Sequence, residues 1–255
     1  MKTIAIMNQK GGTGKTTSAI NLAGELARRG ARVLLLDMDT QGNATSNLAC
    51  PALPDVTLSD VIVSHAPLAQ AIAHTTVAGL DLVPGGALLA PALRAMQELP
   101  FGRDQVLRRL LGDLPPEYDY ALFDCSPSLE SLFNINVLCA VSYVLIPIRA
   151  DKNSIEGYGV MLDTVRSVRE LANPDIRVLG IFVTAVETGA ALDREVLAQL
   201  PALLPDLALR SCIRKNVDVR KAPLAHLPLC QYAPRSRASA DYAALCDELL
   251  ARMEG

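Results

Sequence analysis

The chain alternates short, nearly continuous apolar runs with segments whose apolar residues return every three or four positions. The runs at Thr3 to Met7, Arg32 to Leu36, Leu80 to Val83, Tyr120 to Phe123, Tyr143 to Ile148 and Val178 to Val183 read as strands. A strand that is apolar at successive positions has both faces covered, which is the condition of a parallel sheet between two layers of helices. Between the first two runs, Thr16 to Arg29 places Ile20, Ala23, Leu26 and Ala27 on one helical face, and Gly30 stands where a left-handed residue is expected to end the helix. The segment Ala238 to Met253 places Tyr242, Leu245, Leu249 and Met253 on one stripe and is expected to dock as a closing helix. Cys50 to Pro100, with prolines at 51, 54, 67, 84, 91 and 100, is expected to hold short helices and loops. The pattern predicts a doubly wound α/β fold, a mainly parallel sheet flanked by helices, in a single domain over 1–255.

Composition narrows the function. With half of its 255 residues apolar, the chain has material for one large core, and its formal charge of −3 excludes a protein that coats nucleic acid with its whole surface. Charge is segregated, however: from Asp206 to Arg237 there are seven lysines and arginines against two acids. The six cysteines form no C-x-x-C pair and no His is spaced to join them, so they are expected to be reduced and mostly buried, with no disulfide framework or metal cluster. Met1-Lys2-Thr3 leads straight into a strand-like run, which predicts neither a signal peptide nor a membrane span and a cytoplasmic protein.

The chemistry concentrates in Lys10-Gly11-Gly12-Thr13-Gly14-Lys15-Thr16-Thr17, between a predicted strand and a predicted helix. Glycines let successive backbone N–H groups turn toward phosphate oxygens, and the helix amino end adds its positive dipole. Lys15 supplies a charge to the terminal phosphates and the Thr16 hydroxyl a ligand for Mg²⁺. Two acidic strand ends accompany this loop: Asp37 and Asp39 after Leu34-Leu35-Leu36, and Asp124 after Tyr120-Ala121-Leu122-Phe123. A strand ending in an aspartate delivers a carboxylate to the metal shell. Cys125, beside it, reads as a small buried filler.

The loop departs from the ordinary phosphate-binding pattern, since Gln9 occupies its first glycine position and Lys10 adds a second lysine. In this it resembles the deviant Walker A motif, KGGxGK[ST]T, of the ParA and MinD ATPases. Asp37-Met38-Asp39-Thr40-Gln41-Gly42-Asn43 is similar to that family's DxDPQGN, with Thr40 for proline, and Asp124-Cys125-Ser126-Pro127-Ser128-Leu129 to its DCPPSL, with Ser126 for the first proline. The resemblance implies ATP and Mg²⁺ as cofactors, held by Gly11 to Thr17 and supported by Asp37. It also implies an ATP-dependent homodimer in which Lys10 reaches the partner's nucleotide, and hydrolysis of ATP by a water that Asp39 positions. Val144 to Gly157 looks like a family segment that lines the dimer face, with Lys152 and Asn153 in place of an aromatic pair.

Arg214-Lys215-Asn216-Val217-Asp218-Val219-Arg220-Lys221-Ala222-Pro223 is similar to the family's PRNVRLSEAP, with Asp218 where arginine is usual and Arg220 and Lys221 replacing Ser and Glu. On that likeness Arg214, Lys215, Arg220 and Lys221 are candidates for contacts to nonspecific double-stranded DNA. A ParB-like or cargo adaptor protein would stimulate hydrolysis, and the protein would be nucleoid-associated. Two other readings stay open: a MinD-like membrane ATPase, against which the acidic ending of the chain argues, and a metabolic ligase of the same superfamily. Thr184, at the end of the last predicted strand, is in a place to reach the base.

Overall fold

The computed structural model describes residues 1–114 and 116–254, with the side chains of residue 88 and of 152–157 outside the description. The predicted replacements Lys152 and Asn153 therefore lie outside the described side chains. Seven strands, β1 (Lys2–Ile6), β2 (Val33–Met38), β3 (Ala73–His74), β4 (Leu80–Val83), β5 (Tyr120–Cys125), β6 (Tyr143–Arg149) and β7 (Arg177–Thr184), form one sheet in the order β3-β4-β2-β5-β1-β6-β7. Every pairing is parallel except that of β3 with β4.

Why the strands are apolar at successive positions is visible in the packing. Ile4, Ile6, Val33, Leu35 and Leu122 belong to one buried cluster, while Ala5, Met7, Leu34, Leu36, Ala121 and Phe123 belong to another, so consecutive residues serve opposite faces. The first face is covered by the helix Lys15–Arg28, through Ile20, Ala23 and Leu26, and by the closing helix Arg237–Glu254, through Tyr242, Leu245 and Leu249. Gly30 ends the first of these helices at φ 91°, as its place in the sequence predicts.

The parallel register gathers the acids. Asp37 pairs with Asp124 across β2 and β5, and Ile6 pairs with Asp124 across β1 and β5, so Asp124 stands beside the loop that leaves β1 and Asp37 one strand further out. Three features lie beyond the sequence reading. Most strands extend one or two residues further than expected, and the two-residue β3 adds an antiparallel edge inside the irregular region. Residues 207–215 also run along β7: Leu209 N–H donates to Ile181 O and Lys215 N–H to Val186 O, both at 2.9 Å or less.

Candidate active site

The glycine loop bridges β1 and the helix Lys15–Arg28. Gly14, left-handed at φ 85°, precedes the helix and offers no side-chain cap, and no acid occupies the first turn. The first amides of the helix are thus open to an anion. Three contacts fix the loop. Asn8 Nδ2 donates to Pro147 O of β6 at 2.8 Å, Lys10 N–H donates to Asn8 Oδ1 at 2.9 Å, and the Thr184 hydroxyl lies 2.8 Å from Thr13 O and 3.1 Å from Ile148 O. Thr184, expected near the base, spends its one hydroxyl proton on tying the loop to the sheet.

The two lysines differ in environment. Lys15 is buried and donates to Lys10 O at 3.0 Å. Burial lowers its pKa, against the pull of the Asp124, Cys125 and Asp39 side chains. Lys10 sits at the mouth of the loop and pairs with Asp151 at 2.6 Å, with over a third of each side chain exposed.

Asp37, Asp39 and Asp124 are all buried. The Asp37 carboxylate accepts from Thr45 N–H at 2.8 Å and the Thr45 hydroxyl at 2.7 Å. Both Asp124 oxygens, in contrast, are sealed from solvent without a hydrogen-bond partner. The neighbouring Thr16 hydroxyl pulls the Asp124 pKa down, although neither Asp124 oxygen meets hydrogen-bond geometry. Burial, and then the charge of Asp37, pushes that carboxyl up to about 8. Burial likewise raises Asp37 and the Cys125 thiol, which keeps Cys125 protonated and inert. An unpartnered buried carboxylate among acids is a place for a missing positive charge. No group of three or more His, Cys, Asp and Glu residues converges as a metal cage among the described residues. Magnesium takes one or two carboxylates and completes its shell with water and phosphate oxygens. Asp124 and Thr16 are the residues that would hold it, with Asp37 behind them.

Beside the loop opens a cavity of about 350 Å³, large enough for a nucleoside. Gly12, Gly14 and Thr17 line one side, and Arg149, Asn216 and Val219 are among the residues that line the rest. Arg214, Lys215 and Arg220 line it as well, so three of the four candidate DNA contacts adjoin the nucleotide site. Two of these are engaged within the chain: Arg214 Nε donates to Asp241 at 3.0 Å, and Lys215 pairs with Glu187 at 2.6 Å. Arg220 and Lys221 are exposed on the short helix Val217–Lys221, with no ion pair among the described residues. Arg149, Asn216 and Thr45 were not singled out as site residues from sequence. Asn216 and Arg149 lie in the segments that carry the family likeness, but only folding brings them to one cavity.

A glycine loop between strand and helix, a buried lysine within it and an orphaned carboxylate on the neighbouring strand define a P-loop nucleotide hydrolase. A family model described as an AAA domain matches residues 1–178. The sporulation initiation inhibitor protein Soj of Bacillus subtilis is 38% identical over 98% of this chain and 98% of its own. The chromosome-partitioning ATPase Soj of Thermus thermophilus is 38% identical over 100% and 97%. The chain belongs to the ParA/Soj family of P-loop ATPases. Among solved structures, cobyrinic acid a,c-diamide synthase from Mycobacterium smegmatis with bound ADP and magnesium superposes with a TM-score of 0.84 at 28% identity, covering 100% of this chain and 96% of that one.

Proposed function

We propose that this ATPase binds ATP with Mg²⁺, closes as a dimer around two nucleotides, holds nonspecific DNA in that state, and partitions or positions a cargo when an adaptor protein triggers hydrolysis. The observation that carries the reading is the division of labour between the lysines. Lys15 already fills the loop from within, whereas Lys10 stands at its mouth and pairs, among the described residues, with a surface acid, Asp151. Two subunits meeting through triphosphates need additional positive charge between them, and in this reading Lys10 supplies it to a facing nucleotide. ATP and magnesium are the ligands because the loop, the open helix amides and the Asp124 carboxylate fit a phosphate chain with a hard cation. In this reading Asp39 orients the attacking water.

The DNA face in this reading centres on Arg220 and Lys221, which carry no ion pair among the described residues, with Arg214 and Lys215 beside them. Contacts of this kind reach phosphates and read no sequence. A lipid-binding closing helix is disfavoured, because Tyr242, Leu245 and Leu249, its apolar stripe, are buried against the helix Lys15–Arg28 and the sheet. No helix among the described residues is long and apolar enough to cross a membrane. The structural likeness to an amide-forming synthase keeps a ligase as the competing outcome.

Sedimentation velocity of the wild type, Lys10→Ala and Asp39→Ala with ATP, with ADP and without nucleotide tests the dimer. The wild type is expected to dimerise with ATP alone, Asp39→Ala to stay dimeric because hydrolysis is blocked, and Lys10→Ala to remain monomeric while still binding ATP. A Lys10→Ala protein that dimerises normally would contradict the assignment, and ATP turnover that needs a small carboxylate would turn it toward the ligase.

A further inference from the structure

Between Asp39 and β4 lies a set of contacts that neither the glycine loop nor the metal site accounts for. The Asp37 carboxylate is gripped on one oxygen by both donors of Thr45, and its other oxygen accepts from Asp39 N–H at 3.2 Å. The Thr45 hydroxyl oxygen in turn accepts from Gly85 N–H at 2.9 Å. The next amide, Gly86 N–H, donates to Asp39 O at 3.0 Å, and Gly42 N–H donates to the same oxygen at 3.0 Å. The backbone of Asp39 is therefore held from the helix Asn43–Asn47 on one side and from the turn after β4 on the other. Gly85 fits because it has no side chain: a Cβ there would fall 2.2 Å from Asp37 O, closer than atoms approach. With its oxygens committed to Thr45 and Asp39, Asp37 serves as an internal anchor, which leaves Asp124 as the carboxylate facing the metal.

We propose that Thr45 and Gly85 are positioning residues for hydrolysis: they lock Asp37 and thereby fix Asp39 against the bound nucleotide. The inference rests on the reading of Asp39 as the group that orients water. Neither residue belongs to the glycine loop or lines the cavity beside it. Their effect is on where the Asp39 carboxylate points, so it falls on turnover and not on ATP affinity, since misplacing a catalytic group by about 1 Å costs on the order of a hundredfold in rate.

The test compares Thr45→Ala, Thr45→Ser and Gly85→Ala with the wild type. Alanine suits the helix that carries Thr45, and melting curves check that each variant folds. Thr45→Ala is expected to lower kcat roughly 10- to 100-fold while the Kd for a fluorescent ATP analogue, measured with Mg²⁺ and with EDTA, moves less than about threefold. Thr45→Ser retains the hydroxyl and is expected to restore kcat to within about threefold, and Gly85→Ala to lose turnover like Thr45→Ala. A Thr45→Ala enzyme with normal kcat overturns the inference, as does a serine variant no better than alanine. Asp39→Ala run alongside separates the two levels: if it hydrolyses normally, the reading beneath falls, and if it is inactive while Thr45→Ala is normal, only the inference falls.

Discussion

Replacing Asp124 with asparagine is expected to stabilise the nucleotide-free protein at neutral and alkaline pH. The Asp124 carboxyl is sealed in the interior without a donor, and its pKa rises from 3.8 in a free chain to about 8 in the fold. Between these values the folded chain keeps a proton that the unfolded chain releases, so stability falls as pH rises through the window, by about 1.4 kcal/mol per unit. By pH 7.5 the accumulated loss is on the order of 5 kcal/mol. Asparagine carries no such charge, but its amide leaves polar atoms imperfectly paired at a cost of about 1–3 kcal/mol. The net gain of the variant is then roughly 2–4 kcal/mol at pH 7.5, or about 5–12 °C in Tm for a domain of this size, and close to zero at pH 5.5. Circular-dichroism melts in EDTA from pH 5.5 to 8 measure this. Adding ATP and Mg²⁺ should raise the wild-type Tm by more than that of the variant, which keeps the glycine loop and Lys15 but lacks the carboxylate for the cation. A variant that melts below the wild type at pH 8, or by a margin that does not change with pH, would refute the reasoning.

Lys15→Ala should abolish ATP binding at micromolar nucleotide, checked by calorimetry, because Lys15 is the one buried cation of the loop among the described residues. Arg220→Ala with Lys221→Ala should weaken DNA binding and flatten its dependence on salt, each lost phosphate contact lowering the log–log slope by about one, with ATP-driven dimerisation unchanged in sedimentation. Leu245→Ala, fully buried between the closing helix and the sheet, should cost about 2–5 kcal/mol in a denaturant titration without altering the ATP Kd of the folded fraction.

Much of this architecture is legible in the linear chain. Each apolar run became a strand, and the stripe of Tyr242, Leu245 and Leu249 became the face of the closing helix, because burial of alternating or helical faces leaves a periodic trace. The glycine loop is legible for a different reason: its function needs small residues and a lysine in consecutive order. What is hidden depends on pairs far apart in sequence. That Asp37 faces Asp124 follows from a parallel register that no local pattern encodes. The two residues of β3 are too few to show alternation, and residues 207–215 are interrupted by Arg210, so neither reads as a strand. Arg214 illustrates the limit for charge: its sequence neighbourhood is basic, yet its partner Asp241 comes from the closing helix and holds it beside the nucleotide cavity. The frame of Thr45 and Gly85 around Asp37 is likewise assembled from two segments forty residues apart.

The most direct test of the proposed function is equilibrium binding of the full-length protein to nonspecific double-stranded DNA, with ATP, with ADP and without nucleotide, across a salt series. Binding that appears only with ATP and weakens steeply with salt is the predicted result. DNA binding that is absent under every nucleotide, or equal in all three, would contradict it.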